Sequence, residues 1–186
     1  MVKIGDTLNN ISVKTACIAV FTLNFVMRGW FATAHPVWGD EAYSLYFSQF
    51  TLSNITTVLM AGYNPPLFEI ILHFCQPLPI EHPMLFRWFS VLCVSLSGAI
   101  LFGHLFQSKK KTAWLFGSLF LTSSLLMNMS QFVRVYALEI LLISVVYIEI
   151  QKKNLSYARL TILAILCTLL LYLHYVSVIL IPFIIG

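Results

Sequence analysis

The charged residues of this chain fall in clusters, and between the clusters lie apolar runs of about 20 residues, the length that crosses a hydrocarbon core of about 30 Å. Backbone amides in such a core find no water, so a run of this kind folds as a helix or as a strand of a closed barrel. The runs here are apolar on every side, whereas barrel strands alternate over about ten residues. Only 10% of the 186 residues are charged and 59% are hydrophobic, against about 25% charged in an average soluble domain. That balance excludes a soluble globule. The expected fold class is all-α, a polytopic transmembrane helix bundle of about five to six spans.

Charge placement orders the spans. A short head with Lys3 and Lys14 precedes a first span over about Thr15–Ala34, which puts the N-terminus in the cytoplasm. Ala32-Thr33-Ala34 has the form of a signal cleavage site, but the stretch from Thr15 exceeds an h-region and contains Arg28, so an uncleaved span is expected. Spans over Met84–Phe106 and Thr112–Ser130 flank Lys109, Lys110 and Lys111; spans over Val133–Ile150 and Arg159–Tyr175 flank Lys152 and Lys153. Both lysine loops then share the cytoplasmic side. Much of the net charge of +4 comes from these five lysines, so it reads as topology, and nucleic acid is not an expected partner.

Between the first two spans, residues 35–83 form a large extracytoplasmic loop with short juxtamembrane helices near Ala42–Phe50 and Leu67–Leu78. The second of these is too short to cross and is expected as a re-entrant or surface half-helix. The run Val176–Gly186 stops about halfway across a membrane, so residues 1–186 read as a single transmembrane module from the N-terminal part of a longer protein. Cys17, Cys75, Cys93 and Cys167 lie in apolar sequence without metal-ligand spacing and are read as packing residues.

The polar residues with chemical potential gather at the outer side: Asp40, Glu41, Asn64, Glu69, His73, Arg87, Arg134, Tyr136, Glu139, His174 and Tyr175. Asp40 is either the cap of the helix it opens or a general base taking a proton from an acceptor group. Asn64 before Pro65-Pro66 is ordinary helix-start chemistry or part of a substrate pocket. Glu69 and His73, four apart, read as a local pair or as part of a pocket wall, the pair being favoured. Arg134 sits where two spans meet, and either snorkels or clamps a phosphate with its planar fork. Arg87 is a second clamp candidate or an interfacial anchor. Tyr136, His174 and Tyr175 are belt aromatics or pocket residues, and Arg28 is an internal packing residue.

In this order, Asp40-Glu41-Ala42-Tyr43, Asn64-Pro65-Pro66-Leu67, Arg87, Ser130-Gln131-Phe132-Val133-Arg134-Val135-Tyr136-Ala137-Leu138 and Leu173-His174-Tyr175 resemble the N-terminal half of a membrane glycosyltransferase of superfamily C. The nearest groups are the protein mannosyltransferase-like family 39, the aminoarabinose transferases of lipid A and the lipopolysaccharide glycosyltransferase-like domain. The resemblance implies that Asp40 is the catalytic base, with Glu41 shaping the acceptor site. It implies that Arg134, with Tyr136 and Arg87, holds the phosphate of a polyprenyl-phosphate sugar donor, and that Asn64, His174 and Tyr175 line the pocket. A glycan, lipid or protein would accept the sugar on the extracytoplasmic face of a bacterial inner membrane. Whether a divalent metal takes part is left open. Two positions depart from the pattern: the family often has Glu where Phe132 stands and His where Asn64 stands. The competing reading is a non-catalytic polyprenyl-phosphate binder, carrier or accessory subunit, which would use the arginine without needing Asp40.

Overall fold

The computed structural model describes residues 11–30, 32, 36–76, 86–152, 156–177 and 179. Lys3, the start of the second span at Met84, the loop residues 77–85, Lys153 and most of the run 176–186 lie outside the described residues. Those described fold as nine helices with no strand among them: α1 Val13–Gly29, α2 Gly39–Phe47, α3 Leu52–Ala61, α4 Leu67–Cys75, α5 Arg87–Ser108, α6 Lys110–Thr122, α7 Ser124–Ser130, α8 Tyr136–Gln151 and α9 Tyr157–Leu173. The all-α expectation holds for these residues.

The central element is α5, which packs on α1, α6, α7 and α8, while α9 closes against α8. Its 22 residues span about 33 Å at 1.5 Å per residue. Among the described residues it is the one helix long and apolar enough by itself to cross a membrane. The expected third span is instead broken, because α6 and α7 meet at a 59° bend where Ser123 leaves the helical conformation and caps α7 through Leu126 N–H. The expected fourth span loses its first turn, since residues 131–135 form a loop and α8 starts at Tyr136. At 16 or 17 residues, α1, α8 and α9 fall short of the usual span of about 20.

Three apolar clusters hold the helices together. Ala16 and Val20 of α1 meet Phe102 and Phe106 of α5 and Ala113 of α6. Cys93 and Val94 meet Phe120 and Ala137 where α5, α6 and α8 join. Phe68 and Leu72 of α4 meet Val133 and Leu173, which seats the short outer helices on the end of the bundle. Gly98 makes the second junction tight, since a methyl group there would lie 2.7 Å from the Phe120 ring.

Several of the polar groups buried among these contacts have partners that explain them. Ser97 and Ser144 link α5 to α8 at 2.5 Å. Arg28 is wholly buried, donating through Nε to Asn24 Oδ1 at 3.2 Å and through Nη2 to the Phe120 carbonyl at 2.7 Å. Phe120 is among the last residues of α6, whose carbonyls lack helical donors, so Arg28 satisfies the end that the bend exposes. This agrees with its reading as an internal packing residue. The four cysteines are unbridged, and only Cys93 is fully buried.

One outer helix has no counterpart in the sequence expectations. In α3, Thr51 caps through Asn54 N–H, and Ile55 and Leu59 are buried one turn apart. Ser53, Asn54, Thr56 and Thr57 interrupt its other apolar residues, Leu52, Val58, Met60 and Ala61, and obscure the stripe. The turn after it puts Tyr63 at φ 57°, a left-handed conformation that sends the chain back into α4.

Candidate functional site

The residues singled out for chemistry converge at one end of α5, and Lys109, Lys110 and Lys111 lie at the other. The site is built from α2, α4, the first turn of α5, the loop 131–135, the start of α8 and the end of α9.

Its foundation is a buried ion pair. Glu41 and Arg87 are 0% and 1% exposed, and the guanidinium grips the carboxylate with two bonds, Nε to Oε1 at 2.8 Å and Nη2 to Oε2 at 2.6 Å. Arg87 also donates to the carbonyls of Ala32 at 3.0 Å and Pro36 at 2.9 Å. Glu41 in turn accepts from the main-chain amides of Trp38 at 3.0 Å and Val133 at 2.9 Å. One carboxylate therefore ties the entry to α2, the start of α5 and the loop 131–135 to a single point. Burial alone would raise the Glu41 pKa, but the bonds from Arg87, Trp38 and Val133 outweigh it and hold the carboxyl below its ordinary value. The roles that the resemblance implies for these two residues, acceptor site for Glu41 and donor phosphate for Arg87, meet side chains already committed to each other. In this structure the two side chains bind each other, and Glu41 also lines the cavity described next.

This clamp also decides the reading of Asp40. The cap position of α2 is held by Trp38, and Glu41, three residues on, accepts from the Trp38 main-chain amide. Asp40 does not cap α2. Its side chain is exposed on the wall of a cavity of about 310 Å³, which Trp38, Gly39, Glu41, Met129, Phe132, Arg134 and Tyr136 also line.

Arg134 reaches the same cavity. Its Nη1 donates to the Asp40 carbonyl and to Ser44 Oγ, both at 3.2 Å. Nε is buried without a hydrogen-bond partner. One edge of the guanidinium is anchored to α2, and the edge that binds a phosphate or carboxylate in bidentate fashion contains this unpartnered donor. The ring of Tyr136 lies 6.0 Å from the guanidinium carbon.

A smaller cavity of about 70 Å³ lies on the other side of Arg134 and Tyr136, walled by Tyr43, Asn64, Pro65, Glu69, Val135, Leu173 and His174. Asn64 does not cap α4, whose cap position is Pro66; its amide donates to the Tyr43 hydroxyl at 3.2 Å. The expected local pair of Glu69 and His73 is absent. Glu69 accepts from Ser44 at 2.9 Å, and His73 Nδ1 contacts the Ser48 carbonyl at 2.9 Å, because the two side chains are drawn to α2 rather than along α4. Ser44 thus bridges Arg134 and Glu69. His174 Nδ1 lies 3.0 Å from Glu139 Oε2, and Ser177 donates to the other Glu139 oxygen at 2.7 Å. Tyr175 stands apart from this group, in an apolar cleft of about 250 Å³ with Met60, Pro65, Pro66, Leu171 and Tyr172.

Burial raises the Glu69 pKa above its ordinary value, and the bond from Ser44 and the charge of Arg134 only partly offset that. The folded protein holds this proton more tightly than the unfolded chain. Its stabilising share is complete below the unfolded glutamate pKa of about 4.3 and is lost as pH rises through the folded value. Glu69→Gln keeps an acceptor for Ser44 and removes the titration. We expect the melting temperature of the variant relative to wild type to rise between pH 4 and pH 8; a difference that stays constant with pH contradicts this.

Sequence reasoning missed Ser44 and gave no role to Glu139 or Ser177. Ser44 lies one helical turn after Asp40, on the same face of α2, and Glu139 is a lone acid in an apolar run; both signals are readable. Among the described residues no three of His, Cys, Asp and Glu converge to hold a metal ion. No family model matches the chain, and neither a curated protein nor a solved structure matches it.

Proposed function

We propose that this chain is the N-terminal part of a membrane glycosyltransferase of superfamily C, moving a sugar from a polyprenyl-phosphate donor to an acceptor at the extracytoplasmic face. The observation that carries the reading is the placement of Arg134, anchored by one edge to α2 with an unpartnered donor on the other, beside the cavity that also holds the exposed Asp40. The polytopic bundle of about five to six spans belongs to the same proposal. It is supported by an inverted polarity: Ser95, Ser97, Ser144 and Arg28 are buried, while Ile18, Leu23, Leu115, Leu119, Ile162 and Ile165 are exposed.

In this reading Arg134 binds the lipid phosphate as a fork, and Asp40 takes the proton from an acceptor hydroxyl or amine as its lone pair attacks the anomeric carbon. The bond between that carbon and the phosphate oxygen breaks, and the electron pair leaves on the phosphate, where Arg134 stabilises the growing charge. Attack from the face opposite the phosphate inverts the anomeric centre. Glu41 and Arg87 hold the base and the phosphate ligand in register.

Mass spectrometry of lipids copurifying with the detergent-solubilised protein tests the donor site. Wild type and Asp40→Asn should carry a polyprenyl phosphate or its sugar conjugate. Arg134→Ala should lose it, with binding weakened by about 2–5 kcal/mol, the range for removing one partner of a desolvated charge pair. Absence of such a lipid from all three well-folded samples refutes the donor site. Loss in Arg134→Ala together with a function indifferent to Asp40→Asn would favour the non-catalytic binder.

A further inference from the structure

A second cavity of about 330 Å³ adjoins the first, and Trp38 and Phe132 lie on the walls of both. Its other lining residues are Asn128 and Gln131, at the end of α7 and just beyond it. Nothing in the catalytic reading uses these two amides.

The cavity has the marks of a built site. Gln131 is only 8% exposed, yet its amide nitrogen is buried with no hydrogen-bond partner. A buried donor left unsatisfied is destabilising in the free protein and calls for an explanation. The Trp38 indole is 62% exposed and stands edge-on to Phe132, with ring centroids 6.4 Å apart. The backbone beneath both rings is fixed: Glu41 holds the amides of Trp38 and Val133, and Ser90 Oγ donates to the Phe132 carbonyl at 2.7 Å. Among the described residues the lining combines an aromatic face and two carboxamides with no charged side chain. A carboxamide both donates and accepts, which suits hydroxyl groups, and an aromatic face suits the C–H face of a ring. The volume falls in the range of small-ligand sites, where a few placed polar groups set orientation on an apolar wall.

We propose that this second cavity binds an uncharged sugar ring, stacked on Trp38 and hydrogen-bonded to the amides of Gln131 and Asn128. The proposal rests on the glycosyltransferase reading for its biological sense. It adds to that reading a specificity: the sugar at this position carries neither an amine nor a carboxylate, since none of the described residues lining the cavity would partner either charge. The ring is either the donor's sugar or a sugar of the acceptor, and the same chemistry serves both.

Isothermal titration of the full chain, in a detergent without a sugar headgroup, separates the cases with three probes: polyprenyl phosphate, its neutral hexose conjugate and a methyl hexoside. Gln131→Leu should weaken binding of the hexose conjugate about tenfold, the loss expected for one hydrogen bond between uncharged groups, while polyprenyl phosphate binds as in wild type. That result identifies the donor sugar. Weakening of the methyl hexoside alone identifies the acceptor sugar instead. A uronic acid conjugate should bind wild type more weakly than the hexose conjugate, and equal affinity overturns the specificity. If Gln131→Leu changes neither sugar-bearing probe, the subsite is refuted, and the function reading stands separately on the loss of polyprenyl phosphate in Arg134→Ala. If wild type binds no polyprenyl phosphate, the function reading falls, and the methyl hexoside arm alone decides the subsite. Should Gln131→Leu lose polyprenyl phosphate as well, Asn128→Leu, at an exposed position, decides by the same criterion.

Discussion

Arg87→Met should destabilise the folded protein by about 3–5 kcal/mol, the cost of removing one member of a buried ion pair and leaving the other charged and unpaired. The size follows from where Glu41 sits. It is 0% exposed, and Arg87 supplies two of its four hydrogen bonds. The double variant Glu41→Met with Arg87→Met should recover most of that stability, because a buried pair replaced by apolar side chains of similar volume is often neutral or better. It should not recover transfer. Trp38 and Val133 lose the acceptor that fixes the two segments carrying Asp40 and Arg134, and a displacement on the order of 1 Å in a positioned group can cost about 100-fold in rate. Thermal unfolding in detergent and a transfer assay on the same samples check both halves. A double variant that transfers at the wild-type rate would remove the positioning role. Acid should act on the same clamp. The Glu41 pKa is depressed on folding, so its stabilising share is present above the unfolded value of about 4.3 and is lost as pH falls through the lower folded value.

Asp40→Asn should lower the transfer rate by about 100- to 10,000-fold, the usual contribution of a positioned general base, with melting temperature and lipid-phosphate binding unchanged. The separation is possible because the Asp40 side chain carries no structural duty. Trp38 holds the cap position of α2, and Arg134 bonds to the main-chain carbonyl of Asp40, which the substitution leaves in place. Steady-state transfer kinetics with a strongly nucleophilic amine acceptor offer a second view. An acceptor already deprotonated at the working pH bypasses the base, so the defect should shrink with it. A variant that transfers at the wild-type rate with every acceptor would take Asp40 out of the chemistry.

The helices themselves were largely legible, because the spacing of apolar runs and the lysine breaks place α1, α5 and α9 within a few residues of where they lie. The break between α6 and α7 was not. Ser123 is one of many small polar residues in apolar sequence, and only the packing of Arg28 against the Phe120 carbonyl gives the bend a partner. Helix α3 was hidden because its ten residues are too few to cross a membrane and four of them, Ser53, Asn54, Thr56 and Thr57, are polar.

The same division runs through the candidate site. Composition and order along the chain determined which residues gather at one end: Asp40, Asn64, Arg134 and His174 all fall near helix ends or in connecting segments, where polar side chains avoid apolar surroundings. Pairing was another matter. Glu41 and Arg87 are 46 residues apart, and Glu41 and Val133 are 92 apart, so no local spacing could separate the structural acid from its exposed neighbour. Adjacent residues on a helix point about 100° apart, which is enough to send Glu41 into the interior and Asp40 to the cavity wall. Sequence therefore determined which chemical groups are present and at which end they collect. Tertiary structure alone decided which carboxylate is buried to hold the site together and which stays exposed beside Arg134, because burial is a property of everything packed around a side chain.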